Sequence, residues 1–183
     1  MRDYDSLAAL AVECGFTHHA PLDVDTLDFM QEVRDMCAPG KCDRYGKSWS
    51  CPPACASLED MRERVRSYGS GLLVQTVGEI EDSYDWAGIM ETGARHKANF
   101  QRMYDSLREG NVRALAMGAG ACSLCDSCTY PSAPCRFPEK ASASMEACGL
   151  YVSKVCIDNG LAYNYGQDKI AFTSCFLTGC DCC

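Results

Sequence analysis

The chain has 183 residues, a net charge of −8 and an apolar fraction of 47%. That length fits a single globular domain, 1–183, with a real core, and the composition excludes a disordered chain. The acidic balance argues against a nucleic-acid partner, and no eighteen-residue apolar run exists to cross a membrane.

The opening MRDYDSLAALAVECGF carries acid and lacks a long apolar h-region, so no secretory signal is expected and the location reads as cytoplasmic. Helical spacing of Tyr4, Leu7, Ala8 and Ala11 predicts a helix over about 3–14, and FTHHAPL (16–22) a short strand. Asp25 is expected to cap a helix carrying Leu27, Met30, Val33 and Met36, which stops at Pro39-Gly40. Ser57 and Asp60 form a capping-box signature for a helix over about 58–68, with Leu58, Met61, Val65 and Tyr68 as its stripe. GLLVQTVGEI (71–80) reads as a buried strand. Residues 84–109 read as a long amphipathic helix, with Trp86, Ile89, Met90, Gly93, Phe100, Tyr104 and Leu107 near one face. VRALAMGAG (112–120) gives the next strand, so strand, helix and strand suggest a parallel βαβ unit. A helix from Ser144 to about 158 and a strand over 168–177 complete the pattern. The expected architecture is α/β: one compact domain, a small mixed sheet flanked by helices, and cysteine-rich loops carrying metal clusters.

Fifteen cysteines, an odd number in tight clusters, favour metal over disulfides in a reducing compartment. Cys122, Cys125 and Cys128 follow C-x2-C-x2-C spacing, with Cys135 and Pro138 beyond. Three cysteines at that interval can curl around one cubic cluster, as in bacterial ferredoxins. Zinc is the alternative, although it more often takes cysteines as two separated pairs. Cys37, Cys42, Cys51 and Cys55 form a second complete set of four, in which Pro52-Pro53 predicts an extended, stiff stretch. Tyr45 and Trp49 are candidates to cover a cluster from water. The two sets can serve separate metals or interleave.

YGKSWSCPP, GACSLCDSC, CRFPEK and SMEACGLYV together resemble the predicted metal-binding protein family, domain-of-unknown-function family 2284, from about Cys37 to the last strand. The resemblance implies that Cys37, Cys42, Cys51, Cys122, Cys125, Cys128 and Cys135 are metal ligands. Cys55 enters only through the count of four. The family promises metal and names no reaction.

Cys14, Cys148, Cys156 and Cys175 lie among apolar neighbours and read as packed thiols. Cys180, Cys182 and Cys183 crowd the tail that runs from 175 to 183, where a soft metal, a site in another subunit or a thiol relay are the functional options. His18 and His19 point to opposite faces of a strand, and His96 reads as structural. Arg136 and Glu146 need no catalytic role. Three functions are consistent with the pattern. One is an electron-transfer protein with two [4Fe–4S] clusters and a redox partner protein. Another is a cluster-dependent oxidoreductase acting on a small molecule, and the last a zinc-stabilised interaction module. Clusters would suit an anaerobic niche.

Overall fold

A computed structural model describes residues 4–179. Helix α1 (Tyr4–Glu13) leads into strand β1 (His18–Leu22), then α2 (Gln31–Arg34) and α3 (Leu58–Val65). Strand β2 (Ser70–Glu79), helix α4 (Trp86–Glu109) and strand β3 (Ala114–Met117) follow, and α5 (Val152–Asp158) and β4 (Lys169–Thr178) complete the order. Among the described residues no helix is long and apolar enough to cross a membrane.

The fold is α/β, with the four strands in the order β1-β2-β4-β3 and every neighbouring pair antiparallel. The expected βαβ unit is therefore split. β2 and β3 both run antiparallel to β4, so they share a direction, but β4 lies between them. The sheet is not mixed, because all three strand pairs are antiparallel; the ten-residue β4 matches β2 along its whole length, from Ser70 opposite Thr178 to Glu79 opposite Lys169.

Alternation along the strands gives the sheet two buried faces. Leu72, Val74, Ala116 and Phe176 pack with α1 and α4 through Leu7, Ala11, Phe100, Met103 and Leu107. Leu73, Met117, Cys175 and Leu177 face the other way, against Leu58, Met61 and Val65 of α3 and Val155 and Cys156 of α5. A strand covered on both sides has no polar alternation, which is why GLLVQTVG reads as one apolar run.

Three expectations fail for long-range reasons. The helix expected over 25–37 breaks into short turns because Phe29 pairs with Leu150 and the Met30 N–H donates to the Gly149 carbonyl (2.8 Å). Asp23, not Asp25, caps there, accepting from the Asp25 N–H, and Met36 is exposed. The helix expected from Ser144 starts only at Val152, because Gly149 has φ +85° and a Cβ there would meet Leu58 Cδ2 at 2.6 Å and the Met30 carbonyl at 2.8 Å. The buried face of α4 is also rotated from expectation: Trp86 and Met90 are exposed, while Thr92, His96 and Asn99 are buried. His96 is structural, bonded to the Thr76 (3.0 Å) and Ser174 (2.7 Å) hydroxyls, and burial holds it neutral with its pKa lowered to about 3. The Ser57–Asp60 capping box forms as expected, each residue bonding the other's backbone N–H.

Candidate metal centre

Both cysteine-rich stretches are loops. The first leaves α2 and returns to α3; the second leaves β3 and is stapled at its base by a bridge between Gly118 and Ser144. In the first loop Cys51 is buried and Cys37, Cys42 and Cys55 are half-buried. Pro52-Pro53 lies in a turn rather than an extended stretch, since the N–H groups of Ala54 (3.0 Å) and Cys55 (3.1 Å) both donate to the Cys51 carbonyl. The four thiols share one neighbourhood. Cys37 is pushed up by burial first, then by the charges of Cys42, Glu146, Cys51 and Cys55. Burial also raises Cys55, against the nearby Arg34 guanidinium.

Arg34 is a residue that sequence reasoning missed. Its guanidinium donates to the carbonyls of Ala56 (2.6 Å), Ala147 (3.0 Å) and Cys55 (3.4 Å) and to Cys55 Sγ (3.5 Å). It ties the loop to the segment beneath it and sets a positive charge on one sulfur. Its only sequence signal is its place three residues before Cys37 on a short helix.

In the second loop Cys122, Cys125, Cys128 and Cys135 are all half-buried and line one small cavity with Ser48 and Arg136. Cys122 is raised by burial, partly countered by the Leu124 N–H, and raised further by Cys135, Cys125 and Cys128. Cys128 differs from its neighbours. Burial pushes it up, but the N–H groups of Tyr130, Trp49 and Thr129 and the Ser48 hydroxyl outweigh that and leave it below the ordinary cysteine range. Arg136 does not reach a sulfur; it donates to the Ser127 carbonyl (2.8 Å) and braces the loop.

The loops meet through Trp49. Its ring nitrogen donates to the Ala133 carbonyl (3.0 Å), and its ring packs edge-on against Tyr130 at 4.9 Å. Ser48 and Ser50, also missed from sequence, are buried and bonded to each other at 3.0 Å. Trp49, Cys55 and Cys135 together line a groove of about 830 Å³ between the two cysteine sets. Tyr45 is half-buried and lines neither cavity.

The remaining cysteines behave differently. Cys14, Cys148, Cys156 and Cys175 are buried in the core, with Cys148 pushed up to about 12 by burial and Cys175 higher still. His18 is exposed beside Tyr165, and His19 is half-buried and bonded to the Tyr4 hydroxyl (3.1 Å). Cys180, Cys182 and Cys183 lie outside the described residues.

The donor set fits a thiolate-bound metal. In the first loop Cys37 feels the charge of the other three thiols, in the second Cys122 does, and N–H, hydroxyl or guanidinium donors are at hand to offset it. Among the described residues, no three Cys, His, Asp or Glu side chains gather tightly enough to hold a single metal ion. No match was found among curated proteins or among solved structures. The family model described as predicted metal-binding protein (DUF2284) matches residues 20–178, nearly the whole described chain, and the protein belongs to that family.

Proposed function

We propose that this is an iron–sulfur redox protein carrying two [4Fe–4S] clusters, one on Cys37, Cys42, Cys51 and Cys55 and the other on Cys122, Cys125, Cys128 and Cys135. The observation that carries the reading is the grouping of the loop thiols in two sets of four, Cys37 feeling the charge of Cys42, Cys51 and Cys55, and Cys122 that of Cys125, Cys128 and Cys135. Cube-shaped clusters space their cysteine ligands more widely than one zinc does, whose four sulfurs stand about 3.8 Å apart at tetrahedral Zn–S bonds. Cysteines at intervals of three on one loop can each reach a different iron of such a cluster, which supports the reading for Cys122, Cys125 and Cys128.

When bound, such clusters supply one-electron chemistry. The protein's own part is electrostatic. Arg34 offsets negative charge at Cys55, and the N–H donors of Tyr130, Trp49 and Thr129 do so at Cys128. The acidic chain would suit a basic partner protein, with charge speeding the encounter. The groove between the sets favours a second reading, a cluster-dependent reductase acting on a small molecule, because both sets have a cysteine on its wall.

The test is iron, zinc and acid-labile sulfide per chain, on protein purified without oxygen. About eight iron and eight sulfide are expected. Two zinc and no sulfide would make both loops structural clasps and end the redox reading.

A further inference from the structure

Away from the cysteine loops, the turn from β2 into α4 leaves large apolar side chains uncovered. Tyr84 and Trp86 are the most exposed large apolar residues among those described, at 83% and 72%. Met90, 66% exposed, lies one turn beyond Trp86 on α4. The turn that carries the two rings is held from within. Asp82 accepts from the Tyr84 N–H (2.7 Å), and Asp85 accepts from the N–H groups of Glu81 (3.2 Å) and Gly88 (2.9 Å), the last capping α4. A turn fixed this way presents its aromatic side chains with little backbone order left to lose on contact.

The charge around the patch has one sign. From Glu79 to Ala94 the chain carries five carboxylates, Glu79, Glu81, Asp82, Asp85 and Glu91, and no lysine or arginine. Among the described residues none of the five forms an ion pair. The nearest bases in chain and register are Arg95, held by the Val77 carbonyl (3.0 Å), and Lys169, which faces Glu79 across the β2–β4 pair. That charge decides what can cover the patch. Two copies meeting symmetrically on this face would bring both sets of carboxylates together, and an anionic lipid surface or a nucleic acid would be repelled. A positively charged protein surface is attracted by the same field.

We infer that this face docks a basic partner protein, whose arginine side chains lie on the Tyr84 and Trp86 rings, pair with the flanking carboxylates and leave Met90 for an apolar contact. A guanidinium stacks on an aromatic face and pairs with carboxylates at its edge, so both halves of the patch suit one residue type. Trp and Tyr are also the residues that most often carry the binding energy of an interface. The inference deepens the redox-partner reading by giving it a surface, but the docking itself does not depend on what the cysteines hold.

The experiment is fluorescence anisotropy of a labelled peptide of repeated Leu-Arg-Ala, titrated with the full chain purified without oxygen. Binding is expected at low salt and weaker at high salt, with a repeated Leu-Lys-Ala peptide weaker and a Leu-Glu-Ala peptide silent. Trp86→Ala with Met90→Ala should weaken binding by at least about tenfold, with a urea midpoint near wild type because both side chains are exposed. Glu81→Gln with Glu91→Gln should weaken it by about threefold and flatten the salt dependence. Tyr151→Ala with Ile157→Ala, which removes exposed apolar groups elsewhere, should leave it unchanged. No binding of the arginine peptide, or an equal loss in the Tyr151 and Ile157 variant, would overturn the inference. So would a wild-type dimer, or adhesion to phosphatidylglycerol vesicles, that Trp86→Ala abolishes. Iron and sulfide measured on the same sample separate the two readings. Peptide binding by a sulfide-free chain keeps the surface and removes the clusters. Full iron and sulfide with no binding does the reverse.

Discussion

The sheet core and the cysteine loops treat titratable groups in opposite ways. In the core, burial keeps His96 unprotonated and the thiols of Cys148 and Cys175 protonated, so every one of these groups is uncharged. In the loops, Cys128 is drawn toward thiolate by three N–H groups and a hydroxyl, and Cys55 has a guanidinium at 3.5 Å. The same residue type is thus a small hydrophobe in one region and a hydrogen-bonded, partly exposed thiol in the other. The surroundings decide, through desolvation against hydrogen bonding.

The sharpest way to break this contrast is to exchange ligand and core thiols. Cys125→Ser is expected to lose one whole cluster, about four iron per chain, while the first loop keeps its own; unchanged iron would remove Cys125 from the ligand set. Cys148→Ala, by contrast, should leave the metal content intact and cost only about 1–2 kcal/mol in urea unfolding, through lost packing. Between these in size, Arg34→Met is expected to destabilise the chain by about 2–3 kcal/mol, since the carbonyls of Ala56 and Ala147 lose their donor. A chelator should also strip the first loop faster than the second, which a merely structural Arg34 acting on the whole fold would not produce.

The core half is tested by pH. His96 has a folded pKa of about 3, below the unfolded value of about 6.5. Between those values the unfolded chain binds the proton and the folded chain does not. The stability is therefore complete above about pH 6.5 and falls by up to about 1.4 kcal/mol per unit as the pH drops. Urea midpoints from pH 7 to 4.5 should show that slope, and His96→Gln should flatten it. A slope unaltered in the variant would mean that other groups carry the acid sensitivity. The smallest effect is expected for Ser48→Ala, which removes one of four donors to Cys128 and should cost about 1 kcal/mol. Its signature is faster metal loss from the second loop alone.

What could be read from the sequence was local. Ser57 and Asp60 are three residues apart and cap α3 within one turn, so the signal and the structure share a scale. The cysteine sets were visible for the same reason, as spacing along one loop. Gly149 gave no such warning: its positive φ serves a contact with Met30 and Leu58, more than ninety residues away. The order β2-β4-β3 was hidden because an adjacent parallel crossover and a split one have the same strand–helix–strand pattern. The polar face of α4 was missed because His96 and Asn99 are buried through bonds with Thr76, Ser174 and the Gly15 carbonyl, and Thr92 by packing against Gly78, which has no side chain, not through apolar character. Arg34 and Ser48 escaped because each acts on a sulfur distant in sequence, Arg34 on Cys55 and Ser48 on Cys128.

The position of β4 between β2 and β3 has a consequence for the order of events during synthesis. All eight loop cysteines precede β4 in the chain, yet β3 joins the sheet only through β4. The β2–β4 pairing closes a loop of roughly a hundred residues, a non-local contact of the kind that slows folding. Until the last strand arrives, the second loop has no finished sheet to hang from, and its thiols meet oxidants and stray metals as part of an open chain. If the second loop binds metal as proposed, its loading is timed by the arrival of a strand that contributes none of the proposed ligands.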